Sequence, residues 1–359
     1  MTKSGNNGNR STDKATTAAG GLMQFMIVTD KLRATGGLLR FERFGRAIPC
    51  NAHTMTYAAL SDSDREFETA FPVYDIRATK NLRCDVCMVP GKGFSGELID
   101  SLHIFRHENF GLRVQHILND SSQLNDFLRV NQIFKPHLVV FNNDGWSRKS
   151  KKKLTFGRQH YVPGAVDTTK FTPTEFKRIS GLRENFVVGG LANKNPRPLI
   201  KALKYLPGNF CVKLYGKADI SVKEEFSPLI ASGRLMFEGV IPECKLYEFY
   251  NSVNAVVSTE TYAGWSNLIA EAMASGVPVI CTRPGTTAFA KHGVNCLILP
   301  KPSPPIIAAY LFALGRIPWY ANVIAKRGRQ SIQSFSWNKY AQTLIKIADE
   351  EIRELGIGK

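Results

Sequence analysis

The chain has 359 residues, of which 43% are hydrophobic and 21% charged, so it is not a wholly disordered, collagen-like or coiled-coil protein. Its 47 Lys and Arg outnumber 30 Asp and Glu, and the formal net charge of +17 indicates an anionic partner: nucleic acid, an acidic membrane surface or a phosphorylated ligand. No apolar run of about 18 residues is present, the first twenty residues lack the apolar core of a secretory signal, and the seven scattered cysteines indicate reduced thiols.

The first half of the sequence alternates short apolar runs with amphipathic segments. After a polar, flexible tail over 1–21, strands are predicted at 24–29, 54–60, 86–90, 111–118 and 137–141. The loop after the first strand carries Gly36 and Gly37, and a helix is expected to follow it; further helices are predicted over 97–106 and 122–134. Strands that alternate with helices predict a parallel sheet.

A Pro-, Gly- and Thr-rich segment over 161–173 predicts a link to a second series of the same kind. Strands are predicted there at 186–190, 211–215, 235–238, 255–258 and 278–282. Helices are predicted at 198–205, 245–251, 266–274 and 337–355. The sequence therefore predicts an α/β fold with two doubly wound domains. Ligands of such sheets bind at the carboxyl ends of the strands, so two facing domains define a cleft.

The segment over 258–300 carries the clearest functional pattern, STETYAGWSNLIAEAMASGVPVICTRPGTTAFAKHGVNCLILP. The loop that contains Gly264 precedes a helix, whose free N–H groups and dipole favour a diphosphate. Glu271, a little over one turn into that helix, can accept hydrogen bonds from the vicinal hydroxyls of a ribose. A second loop, containing Gly285 and Thr286, faces the same cleft. These are the parts of a nucleotide-sugar site.

This segment resembles the donor domain of retaining glycosyltransferases of family 4, the glycosyl transferases group 1, which have the GT-B architecture of two facing Rossmann-like domains. The motif E-A-M-A-x-G-x-P-V over 271–279 is characteristic, and G-W-S-N and G-T-T-x-F-A on either side fit one branch of the family. V-P-G-A-V-D-x-x-x-F-x-P over 162–173 resembles the family's inter-domain entry, and F-S-W over 335–337 resembles the opening of its final helix. The resemblance is strong over 160–345 and mostly architectural over 22–160.

The resemblance implies a domain organisation. Beyond the tail over 1–21, it implies an acceptor domain over 22–165 and a nucleotide-sugar donor domain over 166–334. A last helix over 335–359 would cross back to the N-terminal domain. The donor site would then lie in the cleft between the two domains.

The resemblance also implies donor-binding residues in the C-terminal domain. The matching positions are Lys194, Arg197, Gly264, Trp265, Ser266, Asn267, Glu271, Gly285 and Thr286. Two family features are missing: Ala263 stands at the first glutamate of the E-x(7)-E motif, and no arginine stands near 189–190, where the family has a diphosphate-binding arginine. Glu260 and Arg197 are the candidate replacements.

Several of these residues have a purely structural alternative. Lys194 is also explained as a solvated loop residue, Glu260 as a surface residue at a strand end, and Trp265 as a packing residue. In the N-terminal domain, Gly37 would let the backbone approach the donor phosphates and sugar, or would simply form a turn. His116, near a strand end, is the candidate catalytic residue that contacts the sugar, although a single histidine in a strand is often structural.

We therefore expect an enzyme: a retaining glycosyltransferase that moves a sugar from a UDP- or GDP-linked donor to an acceptor hydroxyl on a glycan or lipid-linked glycan, without a metal or other cofactor. Two alternatives stay open, namely transfer to hydroxymethylated DNA bases and a non-catalytic GT-B protein that binds an anionic partner. The expected location is the cytoplasm, with peripheral contact to the inner membrane face. The charge excess is spread over both halves, +8 over 1–170 and +9 over 171–359.

Overall fold

The computed structural model describes residues 22–33, 36–61, 65–90, 95–118, 124–143, 153–173 and 185–357. The predicted polar tail over 1–21 lies outside the described residues. Two all-parallel sheets with helices on their faces form the molecule, which confirms the predicted α/β fold class.

The first sheet has seven strands in the order β3-β2-β1-β4-β5-β6-β7. Its strands are β1 (Met23–Thr29), β2 (His53–Ala59), β3 (Val73–Asp75), β4 (Cys84–Val89), β5 (Phe110–Ile117), β6 (Leu138–Phe141) and β7 (Arg158–Tyr161). Its helices are α1 (Gly36–Ala47), α2 (Gly96–Ser101) and α3 (Leu124–Phe134), and α2 continues into a 3-10 turn over Leu102–Arg106. Cys84 and Cys87 lie buried in β4, and neither forms a disulfide.

The second sheet has six strands in the order β10-β9-β8-β11-β12-β13. Its strands are β8 (Phe186–Leu191), β9 (Phe210–Tyr215), β10 (Leu235–Gly239), β11 (Ala255–Ser258), β12 (Val279–Cys281) and β13 (Leu297–Ile298). The helices of this half are α4 (Arg197–Ala202), α5 (Ile220–Glu225), α6 (Ser227–Ala231), α7 (Leu246–Ser252), α8 (Asn267–Ala274), α9 (Pro304–Arg316), α10 (Pro318–Ile332) and α11 (Trp337–Leu355).

Each sheet is buried on both faces, as parallel sheets require. In the first sheet, Phe25 and Val114 pack beneath α1 and α11, while α2 and α3 cover the other face. In the second sheet, α4 and α9 cover one face and α7 and α8 the other. Helix α11 follows the helices of the second sheet in sequence, yet its Leu344 is buried in the core of the first sheet. A bridge between Val166 and Ser336 joins the two places where the chain passes between sheets.

The start of α1 differs from the sequence expectation. Gly36 and Gly37 were expected in the loop after the first strand, but they form the first turn of α1. The N–H groups in the first turn of a helix have no partner within the helix, so this turn is a place where a ligand can be bound by the backbone.

The carboxyl ends of the two sheets face each other. Asn143, just after β6, donates a hydrogen bond from Nδ2 to the carbonyl oxygen of Ala263, 3.1 Å away in the loop before α8. Arg43 of α1 forms a salt bridge of 2.9 Å with Glu243, in the turn before α7. A Cβ on Gly264 would lie 1.9 Å from the carbonyl oxygen of Leu118, so this contact between the halves requires glycine.

Among the described residues, no group of three His, Cys, Asp or Glu side chains is arranged to hold a metal ion. In the same part of the chain, no single helix is long and apolar enough to cross a bilayer. Helices α9 and α10 reach the required apolar length only together, across a bend of 103°.

Candidate functional site

Glu260 and Lys194 meet at the carboxyl edge of the second sheet. Glu260 follows β11 and is buried; its Oε1 lies 3.3 Å from Nζ of Lys194, which follows β8. Its Oε2 accepts hydrogen bonds from the hydroxyls of Ser266, at 2.7 Å, and Ser258, at 3.2 Å. One carboxylate thus joins the ends of two neighbouring strands to the start of α8, while Lys194 keeps about half of its side chain exposed.

The backbone around Lys194 is fixed by its neighbour Asn195. Asn195 has a φ of 54°, which asparagine tolerates better than most residues. Its Nδ2 donates to the carbonyl oxygen of Thr259 at 3.0 Å, and the Thr259 hydroxyl donates back to the carbonyl oxygen of Asn195. This pair of bonds ties the loop after β8 to the loop after β11 and holds Lys194 beside Glu260.

The N-terminus of α8 is formed by Ser266 and Asn267 and is supported by the loop after β12. The Ser266 N–H donates to the carbonyl oxygen of Gly285 at 2.9 Å. Gly285 has a φ of +73°, and a Cβ there would lie 2.7 Å from the Ser266 nitrogen. The Thr286 hydroxyl is engaged with the backbone carbonyls of Thr282 and Arg283, so Thr286 stabilises the loop.

Glu271 lies one turn further along α8 and is 5% exposed. Its Oε2 accepts a hydrogen bond of 2.8 Å from the Tyr250 hydroxyl, which lies 2.9 Å from the hydroxyl of Tyr215 at the end of β9. Burial raises the pKa of Glu271 to about 7, although the charge of Arg43 and the Tyr250 hydrogen bond act in the opposite direction. This carboxyl group therefore changes charge near neutral pH.

A group of charges from three parts of the chain lies close to Glu271. Glu243 accepts from Arg43 of α1 at 2.9 Å and from Lys170 of the inter-sheet segment at 3.1 Å. Despite partial burial, these two cations keep the pKa of Glu243 below its ordinary value. Arg43 also lies over the ring of Trp337, 5.9 Å from its centroid. The Arg43–Glu243 ion pair thus connects the N-terminal half to the C-terminal half close to Glu271.

Two other predicted site residues, Trp265 and Arg197, make contacts that stabilise the fold. The Trp265 ring packs against Phe289 and Phe335, and a Cβ on Gly164 would overlap it at 2.2 Å. Trp265 therefore packs the junction between the halves. Arg197, proposed to replace a missing diphosphate arginine, pairs instead with Glu225 of α5 at 2.6 Å, so its guanidinium is not joined to the Lys194–Glu260 pair.

His116, the candidate catalytic residue of the N-terminal half, is fully buried in β5. Its ring meets Phe41 edge to face, and within the described residues neither ring nitrogen has a hydrogen-bond partner. Burial, assisted by the charge of Arg40, lowers the pKa of His116 to about 3, so the imidazole is neutral at physiological pH. It cannot supply a proton there as a general acid.

Some site residues carried no recognisable sequence signal. Tyr215 and Tyr250 are separated from Glu271 in sequence and meet it only through the fold. Arg40 and Arg43 lie in α1 between buried residues of the 3.6-residue pattern. Charged residues between the apolar positions of an amphipathic helix are ordinary, so nothing in the sequence marked these two arginines as site residues.

A family model described as Glycosyl transferases group 1 matches residues 184–314, the part of the chain that contains Lys194, Glu260 and Glu271. Residues 184–314 are therefore similar to a glycosyl transferases group 1 domain. A search of curated protein sequences gives no match.

Solved structures resemble almost the whole chain. The crystal structure of HepE from Anabaena in complex with UDP is 19% identical, with a TM-score of 0.74, covering 91% of this chain and 100% of that one. Sucrose-phosphate synthase from Thermosynechococcus elongatus is 14% identical, with a TM-score of 0.75, covering 94% and 100%. A glycosyltransferase from Rickettsia africae is 14% identical, with a TM-score of 0.72, covering 92% and 99%. At these identities the likeness establishes the fold, which is GT-B.

Proposed function

We propose that this protein is a retaining glycosyltransferase that transfers a sugar from a nucleotide diphosphate sugar to an acceptor hydroxyl. The observation that carries the proposal is the pairing of two buried carboxylates with one lysine and one helix N-terminus at the facing strand ends. Glu260 lies beside Lys194 and Ser266, and Glu271 lies one turn further along the same helix. The retaining outcome rests on the resemblance of the 258–300 segment to family 4.

The donor is proposed to be a UDP-sugar first and a GDP-sugar second. HepE from Anabaena has been solved with UDP and with UDP-glucose, and its fold is the one found here. In this chain Glu271 would accept hydrogen bonds from the ribose hydroxyls, and Lys194 and the N–H groups at the start of α8 would hold the diphosphate. Glu260 would accept hydrogen bonds from the transferred sugar.

The reaction follows from this placement. The bond between the sugar C1 and the diphosphate oxygen breaks, and the acceptor oxygen forms the new bond to C1 on the same face. The acceptor proton passes to an oxygen of the departing diphosphate, which is the base. Lys194 and the N-terminus of α8 stabilise the negative charge that grows on that leaving group. No metal is included in this proposal.

The acceptor is proposed to be a glycan or lipid-linked glycan, bound from the side of the N-terminal half. Gly37 and the first turn of α1 would approach the donor, whereas His116 is fully buried and has no role in this proposal. Hydroxymethylated DNA as the acceptor, and a GT-B protein without catalysis, are alternative outcomes of the experiments below.

A donor screen tests the proposal. The full-length protein is incubated with a panel of UDP- and GDP-sugars, and release of the nucleoside diphosphate is measured. We expect release from at least one donor, reduced by about a hundredfold or more in Lys194→Ala and Glu271→Ala. Lys204→Ala is the matched control, because Lys204 is an exposed lysine just after α4 and outside the proposed site. Its release should equal that of the wild type.

Two results would contradict the proposal. Absence of release from every donor, in a protein that still binds UDP, would favour the non-catalytic alternative. Release that survives in both site variants would reject this site. The stereochemistry is read separately from the anomeric proton coupling of the product, which retention predicts to match the donor's configuration.

A further inference from the structure

The positive charge of the C-terminal half is concentrated in one stretch of sequence. Residues 272–348 contain no Asp or Glu. They contain nine Lys and Arg: Arg283, Lys291, Lys301, Arg316, Lys326, Arg327, Arg329, Lys339 and Lys346. This stretch therefore carries +9 of the formal net charge of +17, while 171–271 and 349–359 cancel each other at +2 and −2. Proposed donor binding uses Lys194, outside this stretch, so it does not account for the excess.

Helix α9 lies in this stretch and is apolar on its outer side as well as its inner side. Its inner side, with Ile307, Leu311 and Leu314, is buried in the core. Its solvent-facing side follows the spacing i, i+4, i+7, i+11 and consists of Pro305, Ala309, Phe312 and Arg316. Phe312 is 43% exposed. The outer side of a helix in a globular protein is ordinarily polar, and here Arg316 is its only charged residue.

The junction of α9 and α10 projects more apolar surface. The two helices meet at a bend of 103°, where Ile317 is 39% exposed and Trp319 is 69% exposed. Lys326 lies two turns beyond Trp319 on the same side of α10, and Arg327 is exposed beside it. Within the described part of the chain, Arg316, Lys326 and Arg327 form no salt bridge. Apolar and cationic side chains thus share one corner.

This combination has the chemistry of a membrane interface. Tryptophan favours the boundary between headgroups and acyl chains, since one edge of its ring is polar and the rest apolar. Lys and Arg around an apolar patch are attracted to anionic headgroups. A nucleic-acid surface would need the cations without the apolar stripe. The sharp bend suits helices that lie on a bilayer rather than cross it.

We propose that the corner formed by α9 and α10 docks on an anionic phospholipid bilayer. Phe312, Ile317 and Trp319 enter the boundary between headgroups and acyl chains. Arg316, Lys326 and Arg327 contact the lipid phosphates. The inference does not depend on the proposed transferase activity, because none of these residues belongs to the Lys194–Glu260–Glu271 site.

Vesicle flotation of the full-length protein tests this docking surface. The protein is mixed with vesicles of phosphatidylcholine alone or of phosphatidylcholine with phosphatidylglycerol. We expect flotation with the second vesicles and little with the first, weakened by added salt. Trp319→Ala should reduce the partition coefficient about tenfold or more, because it removes the largest inserted side chain. Lys326→Gln with Arg327→Gln should reduce it as well.

A matched control tests whether the loss of any exposed apolar side chain and cation reduces flotation. Ile220→Ser with Lys223→Gln removes an exposed apolar side chain and a cation three residues apart on α5, and should float like the wild type. Phe312→Ser is a second test at the same corner, and thermal unfolding checks that every variant is folded. Quenching of Trp fluorescence by brominated lipids should be lost mainly in Trp319→Phe.

Three results would overturn the proposal. The first is absence of flotation with phosphatidylglycerol vesicles. The second is flotation that is unchanged in both Trp319→Ala and Phe312→Ser. The third is a wild-type protein that does not bind vesicles but forms a concentration-dependent dimer or a complex with duplex DNA. If Trp319→Ala abolishes that dimer or complex, the corner binds another partner.

Discussion

Glu260 and Glu271 are eleven residues apart, yet their side chains meet different environments. Glu260 is paired with the ammonium group of Lys194 and two hydroxyls. Glu271 is buried and hydrogen-bonded to Tyr250. The charge of Arg43 acts on it without a direct hydrogen bond. A carboxylate that is already paired suits a sugar-contacting role near the diphosphate. A buried carboxyl group with one phenol partner suits a ligand that brings its own hydroxyl donors.

Donor binding should depend on pH through the ionisation of Glu271. Burial places the pKa of Glu271 at about 7, so the acceptor carboxylate forms as the pH rises through that value. UDP affinity should therefore rise with pH through about 7. The Tyr250 hydrogen bond lowers this pKa, so Tyr250→Phe should move the midpoint to higher pH. Calorimetric titration of UDP from about pH 5.5 to 9 measures it. An unchanged midpoint would contradict this assignment, and the exposed Tyr205→Phe is the control.

The raised pKa of Glu271 should also make the stability of the protein depend on pH. The folded-state pKa of about 7 lies above the ordinary 4.5, so the folded state favours the protonated acid. Its contribution is fully present below about pH 4.5 and is lost as pH rises through 7. Glu271→Gln should therefore be more stable than the wild type at pH 8, by on the order of 3 kcal/mol at most. Urea unfolding at pH 5 and pH 8 tests this; equal differences at both pH values would reject it.

At the scale of elements, the loops after the strands are held by contacts that only small residues permit. Gly264 touches the backbone of Leu118, and Gly285 supports the N-terminus of α8. Loops at the carboxyl ends of parallel strands carry the ligand site in doubly wound folds. Here their positions depend on both halves of the chain, because the Gly264 loop packs on the ends of β5 and β6.

Gly264→Ala should disturb the contact between the halves. The added Cβ would lie 1.9 Å from the Leu118 carbonyl oxygen, so one loop must move. We expect donor turnover to fall by about tenfold or more, with a smaller loss of thermal stability. Gly208→Ala is the control, since nothing lies within 4 Å of a Cβ at that position. Turnover equal to that of the control would show that this contact does not position the site.

Much of this level was predictable from the sequence. The β11–α8–β12 unit and α11 were predicted nearly to the residue, because apolar runs, the Gly-x-Pro break and the Ser336 cap mark them. Short β3, β7 and β13 were missed because two to four residues carry little periodicity. Helices α9 and α10 were missed because α9 is apolar on both sides, so the amphipathic pattern that marks a helix is weak there.

The site was predictable only where its residues cluster in sequence. Lys194, Glu260, Ser266 and Glu271 were selected as candidates, and the structure brings Lys194, Glu260 and Ser266 into contact. Trp265 and Arg197 were also candidates, and their packing and pairing partners come from distant segments that no local pattern contains. The fully buried state of His116 likewise depends on how α1 packs across β5.

At the scale of the whole molecule, the Arg43–Glu243 ion pair spans the two halves close to Glu271. Arg43 and Glu243 are partly exposed, so this pair adds little to stability. Its position close to Glu271 indicates a role in holding the halves together around a ligand. Closure of this kind excludes water and completes a site formed by two domains.

Arg43→Gln tests that role. We expect a change in unfolding free energy of less than about 1 kcal/mol, because the pair is partly exposed and Lys170 still neutralises Glu243. The KM for the donor should rise several-fold, because closure loses a contact and Glu271 loses a nearby positive charge. Arg77→Gln, in an exposed pair with Asp75, serves as the control. A large stability loss with unchanged KM would identify Arg43 as purely structural.

The net charge of +17 is a property of the whole molecule. It indicated an anionic partner without locating it, whereas the structure places Arg316, Lys326 and Arg327 of the acid-free stretch at the α9–α10 corner, and none of these three residues belongs to the proposed donor site. A nucleotide sugar and an anionic bilayer are therefore separate expectations with separate variants.

We propose that the facing strand ends bind a nucleotide diphosphate through Lys194 and Glu271. Calorimetric titration of UDP and GDP into the full-length protein tests this binding. The predicted result is saturable binding of one of them at a single site, lost in Lys194→Ala and Glu271→Ala and retained in Lys204→Ala. Binding of neither nucleotide, or binding that both site variants keep, would contradict the claim.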